Sequence, residues 1–183
     1  MVQHTCAMNN DYKVLLRLFL DLCLLKKGPK DVPDSKALLK LVFLSYFLAG
    51  TVLISSDGFM VNAIMQALIE TVLVAIFIYA LVTLFSVSHR FDQAITAIYG
   101  TGTLITSLSI PFIFWVQDLS NNDEPTGPAG LVVFLIVCWS FVVMAHIIRE
   151  TIQKPLSVCL LLTFCYLYLS YQVINWLYPI EAL

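Results

Sequence analysis

Long apolar runs, broken at intervals by short polar stretches, set the pattern of this chain. A bilayer-spanning helix needs about 20 mostly apolar residues. Five windows meet or approach that length: 37–54, 61–86, 94–116, 129–148 and 156–178. The first is short, but Lys36 and Lys40 at its start can extend their charged heads to the membrane surface. Pro111 falls late in the third window, where a missing backbone N–H is expected to kink the helix or mark its end. The pattern predicts an all-α, polytopic membrane bundle of five transmembrane helices.

A different element precedes the first window. Within 11–27 the charges Lys13, Arg17 and Asp21 recur every four residues and so share one helical face, while Leu15, Leu16, Phe19, Leu20, Cys23 and Leu24 cover much of the rest. The segment is too short to span, and it predicts a short amphipathic helix lying in the cytoplasmic interface or packed on the bundle as a lid. The glycine, prolines and lysines of 26–33 read as a turn-rich linker, with Asp34 or Ser35 as N-cap of the first spanning helix. Two regions follow: residues 1–36, a cytoplasmic amphipathic segment and linker, and residues 37–183, the five-helix transmembrane domain.

Composition agrees with this division. The 183 residues are 60% hydrophobic and only 12% charged, with a mean hydropathy of +0.87. Soluble domains run near half apolar and a quarter charged. Disorder and nucleic-acid binding are excluded by the same balance. Placing the charges orients the chain. Lys13, Arg17, Lys26, Lys27, Lys30, Lys36 and Lys40 precede or open the first span; Arg90 lies between spans two and three, and Arg149 and Lys154 between four and five. The connections 55–60 and 117–128 and the tail after Tyr178 carry none, and the acids Asp57, Asp118, Asp123, Glu124 and Glu181 sit on that side. Basic residues mark the cytoplasmic face, so the N-terminus is expected inside and the C-terminus outside. Phe112, Phe114, Trp115, Trp176 and Tyr178 gather at the expected outer ends, as an aromatic belt does.

Candidate chemistry is sparse. Glu70 lies about nine residues inside the second span, roughly 13 Å deep. An intramembrane carboxyl is costly and marks a functional site by default. Asn62, Gln66 and Glu70 recur every four residues and form one polar stripe running inward. With no basic residue at that depth, Glu70 is expected to be protonated and hydrogen-bonded to neutral neighbours: Thr106 or Ser107, and Tyr168, Tyr171 or Gln172. In the third span Thr96, Gly100, Thr103 and Ser107 form a small, weakly polar face suited to close helix packing and hydrogen bonding in lipid. His146 and Glu150, with His89 and Arg90, read as a polar cluster at the inner ends. The five cysteines show no C-x-x-C pair, so no metal site, disulfide framework or cofactor is expected. No catalytic motif occurs, and no enzyme is expected.

The stretch His89-Arg90-Phe91-Asp92-Gln93-Ala94, continuing through Tyr99-Gly100-Thr101-Gly102 to Pro111, resembles the Yip1 family of multi-pass membrane proteins. Leu25-Lys26-Lys27-Gly28-Pro29-Lys30-Asp31-Val32-Pro33, followed by Ser35-Lys36-Ala37-Leu38-Leu39, is similar to its small bacterial members. The resemblance covers roughly 35–180 and implies a five-span protein of a bacterial inner membrane. Eukaryotic relatives act in vesicle traffic and bind prenylated small GTPases; they also carry a longer cytosolic N-terminal region, which is not expected here, so that activity is not carried over. The leading expectation is a non-enzymatic membrane scaffold or accessory protein. Its basic residues Lys13, Arg17, Lys26, Lys27 and Lys30 would meet anionic lipid or another membrane protein. The rival is a small transporter or channel using Glu70, with a homo-oligomer as one way to build the pathway.

Overall fold

The computed structural model describes residues 3–55, 60–122 and 125–178, with side chains from residue 13 onward. Six helices follow in order: α1 (Gln3–Cys23), α2 (Lys36–Ile54), α3 (Met60–Leu84), α4 (Phe91–Asn121), α5 (Gly127–Ile152) and α6 (Leu156–Leu177). The last five are long and apolar enough to cross a membrane. The chain is therefore a multi-pass helical membrane protein with a separate helix before its first span. Most spans begin or end within a few residues of the predicted windows. Of the outer-side acids named above, Asp57, Asp123, Glu124 and Glu181 lie outside the described residues, as does the side chain of Cys6.

Two boundaries differ from expectation. Helix α1 begins earlier than residue 11 and stops at Cys23. Helix α4 starts at Phe91 and runs through Pro111 to Asn121. Proline removes one backbone donor, that of residue 111, and leaves the carbonyl of Ser107 without its usual partner. In a helix packed among neighbours that loss is tolerated, so ten further residues stay helical beyond the proline.

Helix α4 is the axis of the bundle. Every residue from Ala94 to Thr101 is buried, as expected of a helix surrounded on all sides. Helix α2 lies parallel to it: the Phe43 ring meets Tyr99 edge-on at 5.7 Å, and Tyr46 stacks at 5.2 Å from the same ring. Tyr99 also donates its hydroxyl across to the Thr71 carbonyl of α3 at 2.8 Å. Against α4 and α5 a side chain of α6 closes the core, with Tyr166 packed 5.0 Å from Phe77 of α3. The apolar side chains left facing outward, such as Val61, Ile76, Leu131 and Leu161, supply the surface that lipid covers.

At the basic end, the connections are fastened by carbonyl-directed contacts. Arg90 donates to the carbonyls of Glu150 and Thr151 at 3.4 and 3.3 Å, covering the last orphan acceptors of α5 with a cation. Lys154 lies over the Phe85 ring at 5.6 Å. Helices α1 and α3 end in the same way. The chain turns left-handed at Leu25 (φ 60°) and Ser86 (φ 57°). Paired bonds Lys26 N–H to Asp21 and Leu25 N–H to Leu22 close the first helix, and Val87 to Val82 and Ser86 to Thr83 close the second.

Helix α1 does not lie across the basic end of the bundle. Its seat is on the flank of α4, where Phe19 packs on Gly100 so closely that a methyl group there would overlap the ring. The thiol of Cys23 points to the Thr101 carbonyl at 3.9 Å. Trp139 of α5 donates its indole N–H to the Cys23 carbonyl at 2.9 Å and so satisfies an acceptor at the end of α1. The buried side of α1 is Leu18, Phe19, Leu22 and Cys23, while Leu16, Leu20 and Leu24 face outward. The linker returns past α5, where His146 meets the Lys27 carbonyl at 3.2 Å and Gly28 rests on the Glu150 side chain. Ser35, not Asp34, caps α2, accepting from Leu38 at 3.4 Å.

Candidate functional site

Along α3 the polar stripe changes character with depth. Asn62 is exposed, Gln66 is half-buried, and Glu70 turns into the bundle. There it lines a cavity of about 120 Å³, large enough for a few water molecules. Every span contributes one oxygen-bearing side chain to the wall: Tyr46 from α2, Glu70 from α3, Thr101 from α4, Ser140 from α5 and Tyr166 from α6. Apolar residues, among them Val74, Ile98, Val143 and Ile147, fill the rest of the wall, and no basic side chain is present. A single carboxyl is thus set among neutral hydroxyls in an apolar frame.

Local geometry positions these groups. Thr101 donates its proton to the Ala97 carbonyl at 2.8 Å, which leaves its oxygen to act as an acceptor. Tyr46 rests against Gly102, whose missing side chain gives the ring its place: a Cβ there would lie 2.6 Å from it. Tyr166 is buried and held by Phe77. Tyr99, beside Tyr46, is turned away because its hydroxyl is bound to Thr71.

The expected neighbours of Glu70 are not the ones found. Ser107, Tyr168, Tyr171 and Gln172 are exposed, and Gln172 donates instead to the Tyr168 hydroxyl at 3.0 Å on the bundle surface. Thr106 does not line the cavity. Depth alone does not account for the difference: Glu70 lies 14 residues (84 − 70), or about 21 Å, from the basic end of α3. Tyr46, Thr101 and Tyr166 each lie ten residues, or about 15 Å, from the basic-end start of their helix. The residues named from sequence lie higher, toward the acidic end. Which face each helix turns inward, rather than distance along it, selects the observed set.

The other singled-out residues have separate places. Thr96 and Gly100 are buried, Thr103 is half-buried and Ser107 is exposed. The close approach at Gly100 comes from α1 rather than from another span. The hydroxyls of Thr96 and Thr103 donate within α4, to Asp92 and Tyr99, and make no bond between helices. Lys13, Arg17, Lys26 and Lys30 are exposed, and Lys27 pairs with Asp21 at 3.2 Å. Among the described residues, no three His, Cys, Asp or Glu side chains gather as a metal site would require. Burial beside α4 pushes the Cys23 thiol up to about 11.

The arrangement defines a five-span helical membrane protein with a polar, singly acidic chamber among its spans. No family model, curated protein or solved structure matches the chain.

Proposed function

We infer that the protein is a small membrane carrier or channel organised around Glu70, working without catalytic chemistry. One observation carries this reading: all five spans line the chamber that holds the carboxyl. A residue kept only for packing would need a single neighbour, whereas a wall drawn from every helix couples the site to any movement of the bundle. The basic ends are assigned to the cytoplasm on the distribution of lysine and arginine, and the short connections suit a bacterial inner membrane. A homo-oligomer could extend the route from the chamber to either surface.

Reconstituted protein should pass a monovalent ion or proton across proteoliposomes, and Glu70→Gln should abolish that flux while the fold, read by circular dichroism, is retained. Flux equal in the two proteins would defeat the reading. Orientation is tested separately: a single cysteine at position 30 should label from the cytosolic side, and one at position 122 from the opposite side.

A second reading, a non-enzymatic scaffold or accessory protein of Yip1-like type, draws support from the exposed lysines and arginine of α1 and the linker. Each basic residue near an anionic surface contributes about 1 kcal/mol. In proteoliposomes, anionic lipid should then shield position 13 from aqueous labelling in a salt-dependent way. Shielding indifferent to salt and lipid charge would remove that support.

A further inference from the structure

We propose that the chamber is a binding site for a monovalent alkali cation, Na⁺ or K⁺, held by the Glu70 carboxylate together with hydroxyl oxygens of the other four spans. This rests on the assignment of the Glu70 chamber as the functional centre and specifies its ligand. Three features select the ligand. Apart from the Met144 thioether, the side-chain donors on the wall are oxygens, which suits hard cations over soft metals. A single carboxylate supplies one negative charge; a divalent ion would leave an uncompensated positive charge in an apolar frame, which is strongly unfavourable. The Thr101 proton is committed to the Ala97 carbonyl, so this hydroxyl has lone pairs but no proton to offer a ligand, which favours a cation over an anion.

Five oxygen groups from five helices also give the ion a mechanical role. Coordinating all of them draws the spans together, and losing the ion frees them to separate. Ion binding and helix arrangement are thereby linked, since anything that binds one arrangement preferentially shifts the population toward it.

The test is thermal unfolding of the full chain in mild detergent at constant ionic strength, exchanging N-methylglucamine chloride for NaCl, KCl, tetramethylammonium chloride or MgCl₂. Na⁺ or K⁺ should raise the midpoint by a few degrees and saturate. Glu70→Gln should lose the effect. Ser140→Ala, which removes one small hydroxyl, should fold and show half-saturation at roughly tenfold higher salt. A midpoint that ignores Na⁺ and K⁺ overturns the proposal, as does an equal response in both variants. Stabilisation by tetramethylammonium alone, dependent on Glu70, also overturns it, while leaving the chamber as a site for organic cations. Saturable alkali binding with no flux in proteoliposomes would uphold the ion site and defeat the transport reading, so the two failures are distinguishable.

Discussion

The ring of Phe19 occupies the space that any side chain at residue 100 would need. Gly100 is thus the seat of α1, and Gly100→Val is expected to lift that helix from α4. The readout is maleimide labelling of Cys23 in a chain whose other cysteines are replaced. Cys23 is 5% exposed when α1 is docked, and its labelling rate should rise at least about tenfold in the variant, on the order of a 1.4 kcal/mol shift in the docking equilibrium. An unchanged rate would show that α1 does not depend on this contact.

The same thiol gives docking a dependence on pH. Its ordinary value is 9.0, and burial raises it to about 11. A raised value means that the docked form prefers the neutral thiol. The resulting stabilisation is complete below pH 9 and is lost as pH climbs from 9 toward 11. Trp139, bonded to the Cys23 carbonyl, should report the release as a fluorescence change in that window. Cys23→Ala should shift or remove the transition.

Tyr99 links α4 to α3 through its hydroxyl. Tyr99→Phe keeps the ring against Phe43 and Tyr46 and removes only that bond, so a loss of about 0.6–1 kcal/mol is expected. Tyr99→Ala empties a fully enclosed space and should cost about 3–5 kcal/mol. Denaturant unfolding of the two variants separates bond from packing. Equal losses would mean that the hydroxyl, not the ring, dominates.

Ser86 turns the chain at φ 57°, a conformation in which glycine avoids the clash of a Cβ. Ser86→Gly should therefore stabilise the protein by about 0.5–1 kcal/mol. A fall in the unfolding midpoint would indicate that the added freedom of the unfolded chain outweighs the relieved strain.

The five spans were legible because a run of about 20 apolar residues has few other uses. Asp92 and Gln93 lie outside the third window because their polarity lowers the local average, and Pro111 lies inside it, where a kink or an end was expected and the helix instead runs on. Glu70 stood out as an acid within such a run. Its partners did not, since counting along one helix gives depth but not which sides of five helices meet. Tyr46, Thr101, Ser140 and Tyr166 resemble many other span residues until the bundle is assembled. The seat of α1 was legible only in part: of the apolar set Leu15, Leu16, Phe19, Leu20, Cys23 and Leu24, Phe19 and Cys23 are buried with Leu18 and Leu22, while Leu16, Leu20 and Leu24 face outward.

Helix α2 has 19 residues against 31 in α4, its parallel neighbour, or about 28 Å against 46 Å of length. A lipid sheet fitted to the shorter rod is too thin for the longer one. The surrounding bilayer must therefore dimple beside α2, or α4 must lean or stand proud of the headgroups. Acyl-chain length, a property of the host membrane rather than of the polypeptide, becomes a lever on how tightly these two rods stay aligned.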